Sequence, residues 1–406
     1  MSVARRETGR RWFLVAAGVS ALAAVPAVLA ARPQPASALG PADLVERVRR
    51  SGRVPFEGYA ESVGVLGLPE LPRLGAVTSL LSSNTRLRAW FGGPERWRVD
   101  VLEAGTERGT YRDADGVWSW DFARDEITYV PVSGEEHVAL TPDGREITIM
   151  ATPGESPGRL PRGADLLPSD LGRRLLGLAA GEPLAALHGR RVAGIDAAGV
   201  RITSADEHST VGHLDVWADP DTGLPLQVEL TARNAERPIL ATRFLDLALR
   251  TPAGSALARP ERAADVALEG AGGNPADFFD WDPEGMPGTI AGKFAKEQPT
   301  VTDPSGQRWT RSDFSPFRVY GTGLTQFVVV AIPDRFGNDV YRAAADWGQP
   351  VQVSSGRAVI LATPLVSVVV AQGEGRGRGR PTYLATGMVD GVFMDAVGKE
   401  LAVLRR

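Results

Sequence analysis

The chain has 406 residues, 43% of them hydrophobic and 23% charged, with 45 basic against 49 acidic side chains, a net charge of −4 and no cysteine. Phosphate backbones demand a clustered basic surface that this balance does not supply, so no nucleic-acid partner is expected. Without cysteine there are no disulfides, thiolate nucleophiles, cysteine metal sites or lipobox lipidation, and core packing alone has to hold the fold.

Four arginines (Arg5, Arg6, Arg10, Arg11) precede an apolar run from Trp12 to Ala30, and Ala36-Ser37-Ala38 follows with the small-x-small pattern of a signal-peptidase site. Residues 1–38 therefore read as a signal peptide. An uncleaved anchor is the alternative, because the run approaches the ~20 residues that span a bilayer. In both cases the positive-inside rule places the body outside the cytoplasm. Arg10-Arg11-Trp12-Phe13-Leu14 fits the twin-arginine pattern R-R-x-F-L as well as an ordinary charged leader, so both export routes stay open. Removing the leader takes away five arginines and Glu7 and brings the net charge from −4 to about −8.

A short helix comes first, from Pro41 through Leu44, Val45 and Val48 to the stop at Ser51-Gly52. Strands follow. Phe56 to Leu66 sets Gly58, Ala60 and Ser62 on one face; Thr85, Leu87, Ala89 and Phe91 alternate with Arg86, Arg88 and Trp90; Trp97, Val99 and Val101 alternate with Arg98 and Asp100. Hairpin-length polar turns separate them, at Gly92-Gly93-Pro94-Glu95, Asp113-Ala114-Asp115-Gly116 and Arg124-Asp125-Glu126, which predicts an antiparallel meander. Pro168-Ser169-Asp170 reads as the cap of a second helix with the stripe Leu171, Leu175, Leu176, Leu178, ending near Gly181-Glu182-Pro183. Strands resume at Val200–Ile202, Leu214–Ala218, Leu224–Leu230 and Ile239–Leu249. The Ala-, Gly-, Pro- and charge-rich stretch from Thr251 to Gly273 reads as a linker, and a smaller unit follows: strands at Gln326–Ile332, Ala358–Val370 and Thr382–Ala385, then a helix from Asp390 to Leu404.

Two hairpins carry a resemblance. Gly109-Thr110-Tyr111-Arg112-Asp113-Ala114-Asp115-Gly116-Val117-Trp118-Ser119-Trp120-Asp121 resembles the DG-x-x-W-x-Y-D hairpin of the LolA-like lipoprotein-carrier superfamily, which includes LppX-type proteins and the RseB/MucB sigma-factor regulators. Asp215-Val216-Trp217-Ala218-Asp219-Pro220-Asp221-Thr222-Gly223-Leu224-Pro225-Leu226-Gln227-Val228-Glu229 is similar to the W-x-D-P-x-T-G-L-P-L-R-x-E hairpin of the RseB/MucB branch and related actinobacterial exported proteins. The likeness covers about residues 40 to 250, with a looser match of the C-terminal part to the small second domain of RseB. It implies an α+β fold: a large curved antiparallel sheet, an incomplete β-barrel, covered by helices, plus a smaller C-terminal α+β domain. The expected layout is 1–38 leader, 39–250 LolA-like half-barrel, 251–290 linker and 291–406 small RseB-like domain.

The resemblance also implies a hollow for lipid on the concave face, and burial of methylenes supplies ~0.8 kcal/mol each toward holding an acyl chain. The inward candidates are Leu87, Phe91, Trp97, Val99, Trp118, Trp120, Tyr129, Leu226 and Val228 on strands, with Leu175 and Leu176 on the covering helix. Trp118 and Trp120 lie two apart and so share a side of their strand. Apolar residues at period two are more often plain core than ligand contacts, and only a shared lining distinguishes the two.

No catalytic constellation is found. His137, His188, His208 and His213 sit singly, with no H-E-x-x-H. Asp219, Asp221 and Gly223 open like a calcium loop but reach glycine at the fifth position and lack the glutamate at the twelfth, which leaves a hairpin turn. Asp277-Phe278-Phe279-Asp280-Trp281-Asp282 reads as rings anchoring a linker, with partner docking as the alternative. The Gly373–Arg380 run reads as an exposed hairpin loop, with contact to anionic headgroups or an acidic partner as the alternative. No cofactor or metal is expected. The functional expectation is an exported, non-enzymatic lipid- or lipoprotein-binding protein of the cell envelope, with an acyl chain and a membrane-bound anti-sigma factor as partners. A hydrolase of an envelope polymer, working through a carboxylate site not recognisable in the sequence, is the alternative.

Overall fold

The computed structural model describes residues 39–65, 82–103, 105–123, 126–131, 136–140, 146–150, 163–259, 266–267, 286–296, 300–302, 308–310, 317–332, 334–374 and 380–404. The leader 1–38 and the Asp277–Asp282 run lie outside them, as do residues 375–379 of the Gly/Arg run.

Helix α1 (Pro41–Arg50) opens with proline at its first turn and buries Leu44, Val45 and Val48. The strands of the first unit are β1 (Phe56–Gly64), β2 (Asn84–Gly93), β3 (Arg96–Glu103), β4 (Thr106–Arg112), β5 (Gly116–Asp121) and β6 (Glu126–Pro131), then a separate hairpin of β7 (Glu136–Leu140) and β8 (Glu146–Met150). After a 3-10 turn at Gly163–Leu166 come α2 (Pro168–Leu178), β9 (Leu184–Val192), β10 (Ile195–Thr203), β11 (Val211–Ala218), β12 (Pro225–Ala232), β13 (Leu240–Ala248) and the two-residue β14 (Val266–Ala267). The large sheet runs β14-β6-β5-β4-β3-β2-β1-β13-β12-β11-β10-β9. Two meanders, β2 to β6 and β9 to β13, are thus joined by β1, which pairs with β2 on one side and β13 on the other. The two edges, β9 and β14, do not meet, so the predicted open half-barrel is what forms. Register shifts at Tyr59/Ala60, Ala197/Gly199 and Trp217/Ala218 are bulges, the local device by which such a sheet bends.

Turn chemistry closes the hairpins. Asp113 Oδ1 accepts from the Asp115 and Gly116 amides at 3.0 and 3.1 Å, and Ala193-Gly194 (φ 47° and 83°) make the tight β9–β10 turn. One reading needs correction here. In α2 the cap position is Leu167 with no side-chain hydrogen bond, and Pro168 starts the helix; Asp170 binds Arg173 (2.6 Å) one turn on instead of capping. Within the sheet, β14 pairs with β6 in parallel, the one departure from antiparallel order among the described strands. Residues 251–259 lie against the first unit, with Leu257 buried beside Gly92 and Arg259 stacked 4.0 Å from the Trp118 ring.

Beyond 286 lie β15 (Thr289–Ile290), β16 (Lys293–Phe294), β17 (Thr300–Thr302), β18 (Arg308–Thr310), β19 (Phe317–Tyr320), a 3-10 turn at Gly323–Thr325, β20 (Phe327–Ile332), α3 (Asp334–Ala345), β21 (Gln349–Val351), β22 (Arg357–Ala362), β23 (Ser367–Gln372), β24 (Thr382–Gly387) and α4 (Gly391–Ala402). Six of these strands form a sheet ordered β19-β20-β24-β23-β22-β21. The run Ala358–Val370, read as one strand, is a hairpin: Thr363 exchanges hydrogen bonds with Val366 around Pro364, and β22 turns back as β23. Helix α3 covers one face through Val340, Tyr341 and Ala344. Helix α4, capped by Asp390 accepting from the Phe393 amide at 2.7 Å, covers the other through Phe393, Met394, Val397 and Leu401.

Candidate ligand-binding face

Residues directly opposite in antiparallel strands share a face of the sheet, so the register assigns every side chain to one side. One row runs Ile202, Leu214, Leu230, Leu240; the next Val200, Val216, Val228, Thr242, Ser62, Thr85; a third joins Phe244, Ala60, Leu87 and Val101; a fourth joins Phe56, Phe91 and Trp97. This is the face on which α1 and α2 lie. Leu44, Val45, Val48, Leu175 and Leu176 pack with Val200, Val216 and Val228 in one core cluster, while Leu87, Phe91, Val99 and Leu226 pack in a second with Phe56, Phe244 and Leu166. Gly172 brings α2 close onto β12, since a Cβ there would press on Pro225 and Val228. Beyond β3 the lining turns mostly polar: the same face of β4 and β5 carries Arg108, Thr110, Arg112, Val117, Ser119 and Asp121.

The eleven candidates divide between the two faces. Leu87, Phe91, Val99, Leu226, Val228, Leu175 and Leu176 are on the concave side and buried, and Trp97 is there half-buried beside Phe91. Trp118 and Trp120 share a side as predicted, but it is the other one, since Trp118 is opposite Tyr111 and Tyr111 is opposite Arg98. Tyr129 joins that row by backbone register with Trp118, and its side chain lies outside the described residues. Alternation tells which residues share a side and is silent on which side faces the helices.

The convex row is a ladder of rings and guanidinium groups. Arg98 lies 4.8 Å from the Trp90 ring and 5.0 Å from the Tyr111 ring, and grips Asp100 with two bonds of 2.8 and 2.6 Å, with Glu107 at 3.3 Å. Asp100 is 1% exposed, and desolvation pushes its carboxyl up to about 6 despite the arginine. Burial likewise raises the Tyr111 hydroxyl to about 12. On the same face of β9 to β12, Arg190 stacks 3.8 Å over Trp217 and binds Glu229 at 2.6 Å, and Arg201 holds Asp215 at 2.7 and 2.6 Å.

Two features of the concave side lack a plain sequence signal. Thr85, Ser62 and Thr242 place three buried hydroxyls side by side across the middle of the apolar face; Thr242 donates to the Leu166 carbonyl at 2.7 Å, and Ser62 Oγ is buried without a hydrogen-bond partner among the described residues. The Asp-Pro-Asp-Thr-Gly turn also does more than close a hairpin. Asp219 accepts from the amides of Asp221 and Thr222 and from the Thr222 hydroxyl (2.6 Å), Gly223 sits at φ 75°, and Arg47 of α1 donates to the Pro220 carbonyl at 2.9 Å. The turn is the seat of the covering helix.

Of the histidines, His188 is exposed, His208 faces Asp390 at 3.2 Å, and His213 lies 3.8 Å from Asp215 with burial as the main cause of its lowered pKa; the His137 side chain lies outside the described residues. Among the described residues no three His, Asp or Glu groups converge on a point where a metal ion would sit.

No family model matches this chain, and no curated protein does. Solved structures do. The MucA/MucB complex of Pseudomonas aeruginosa aligns at 17% identity over 89% of this chain and 97% of that one, with a TM-score of 0.42. MucB in complex with periplasmic MucA aligns at 16% over 90% and 98%, TM-score 0.43. A LolA superfamily protein from Nitrosomonas europaea aligns at 11% over 55% of this chain and 99% of its own, TM-score 0.21.

Proposed function

We propose that this chain is an exported, non-enzymatic protein of the cell envelope whose first unit binds the acyl chain of a lipid or lipoprotein on the concave face, and whose two-unit form regulates a membrane-bound anti-sigma factor. The observation that carries the binding reading is the largely apolar face of an unclosed sheet, from β10 through β13 and β1 to β3, crossed by the Thr242, Ser62 and Thr85 hydroxyls and lying under two short helices. Such a face offers burial to methylenes and little to a polar substrate. The leader with its arginines, apolar run and Ala36-Ser37-Ala38 supports export, and the hairpins at 109–121 and 215–229 support the regulatory kinship.

The test is native mass spectrometry of the protein purified from its secreted fraction, followed by titration of delipidated protein with a fluorescent long-chain fatty acid. Co-purifying lipid and saturable binding are expected. An empty protein that also fails to bind the fatty acid overturns the acyl reading. Export is tested separately by fusing residues 1–38 to a reporter; retention of the fusion in the cytoplasm overturns it.

A further inference from the structure

The core under α1 and α2 is not built by the first unit alone. Leu324, in the 3-10 turn of the small unit, and Leu365, in its β22–β23 turn, are 1% and 3% exposed and belong to the same cluster as Val211, Leu214 and Leu230 of the large sheet. A Cβ built on Gly323 would lie 3.8 Å from the Leu178 carbonyl at the end of α2. Around these two leucines the junction is polar. Thr210 donates its amide to Met388 (3.1 Å) and its hydroxyl to Leu365 (2.5 Å), the Asp390 amide donates to the His208 carbonyl (2.8 Å), and Asp206 accepts from the Thr325 hydroxyl (3.0 Å).

Concave-face residues such as Val216, Val228 and Leu87 are at most 1% exposed, so an acyl chain reaches them only by displacing what covers them. Lifting α1 or α2 uncovers the stripe of a whole helix. Moving the small unit uncovers Leu324 and Leu365, with Val366 and Met388 packed beside them, and frees hydrogen-bonding groups that water satisfies again. The small unit is the covering element held down in good part by hydrogen bonds, which water can replace. We infer that Leu324 and Leu365 form a stopper that shares its place with the bound acyl chain, so that ligand binding and docking of the small unit oppose each other. The inference rests on the acyl-binding reading above and adds its regulation: by linkage, whatever holds the small unit down weakens ligand binding by the same factor with which ligand loosens the small unit.

Ser209 and Val389 face each other as bridge partners across the junction, and the chain has no cysteine, so the double variant Ser209→Cys/Val389→Cys places a reversible lock there with no competing thiol. The full chain is titrated with a fluorescent long-chain fatty acid in oxidised and reduced forms, with thiol titration to confirm the bridge. The reduced form is expected to bind at least about five-fold more tightly, with wild type indifferent to reductant. Equal affinities, or tighter binding by the oxidised form, overturn the stopper. Absence of binding by wild type and by both forms removes the acyl reading and the stopper with it. Should the bridge not form, Leu324→Ala/Leu365→Ala with wild-type circular dichroism is the second measurement: about five-fold tighter binding is expected, and unchanged or weaker binding overturns the proposal.

Discussion

Gly223 shows how one backbone position holds a covering helix in place. Its φ of 75° already disfavours any side chain, and a Cβ there would collide with the Arg47 carbonyl of α1. Gly194 has a comparable φ of 83° with nothing within 4 Å of the same atom. Gly194→Ala should therefore cost only the backbone strain, ~1 kcal/mol, and Gly223→Ala roughly 3 kcal/mol or more, read from urea midpoints; equal losses would mean that α1 is not seated on this turn. Asp100 offers a second test. Its carboxyl, raised by burial to about 6 from an ordinary 3.8, is ionised at a cost in the folded protein. The folded state therefore binds a proton more readily than the unfolded chain between those values. This contribution is fully present below about pH 4 and is lost as pH rises through about 6, an effect of about 2 to 3 kcal/mol. Asp100→Asn should flatten that part of the stability profile relative to wild type; identical profiles would show that Asp100 is not desolvated as the structure has it.

Among the elements, the hairpin β4–β5 matters most for reading the site. Asp113 fixes its turn and sets Trp118 and Trp120 on the convex side, Trp118 with Nε1 donating to Asp113 at 3.3 Å and Trp120 packed against Phe122 at 5.3 Å. Trp97, one hairpin earlier, is on the concave side near Phe91. All three are only half-buried, so truncation should leave the fold standing. Trp97→Ala is expected to change fatty-acid affinity several-fold, while Trp120→Ala leaves it as in wild type; a binding loss confined to the Trp120 variant would put the ligand on the opposite face of the sheet.

For the whole molecule, the shared cluster predicts that the two units unfold together. Two sheets whose cores were independent would melt as two transitions, whereas leucines of one unit buried in the other couple them. Wild type is expected to unfold in one urea transition seen alike by tryptophan fluorescence and circular dichroism. Leu365→Ala, leaving a cavity at the junction, should lower stability by about 2 to 5 kcal/mol and separate the two signals. Two separate transitions already in wild type would show that the junction contributes little.

Local chemistry was legible from the residues themselves. Alternation located most strands of the first unit, Pro41 located α1, and the Asp-Gly and Pro-Asp-Thr-Gly runs located their turns, because each depends on neighbours within a few positions. The class of fold followed, since short turns between alternating strands lead to an antiparallel sheet. The hairpin within Ala358–Val370 was missed although Thr363-Pro364 interrupts the apolar run, a proline whose place argues against one continuous strand. The division of the tryptophans between faces was not legible: period two fixes which residues share a side, but the side itself depends on where α1, α2 and the 3-10 turn at Gly163 come to lie. The place of Leu324 and Leu365 in a core built by residues far upstream was likewise decided only by tertiary structure, since burial there belongs to a junction between two units and leaves no periodic mark in either.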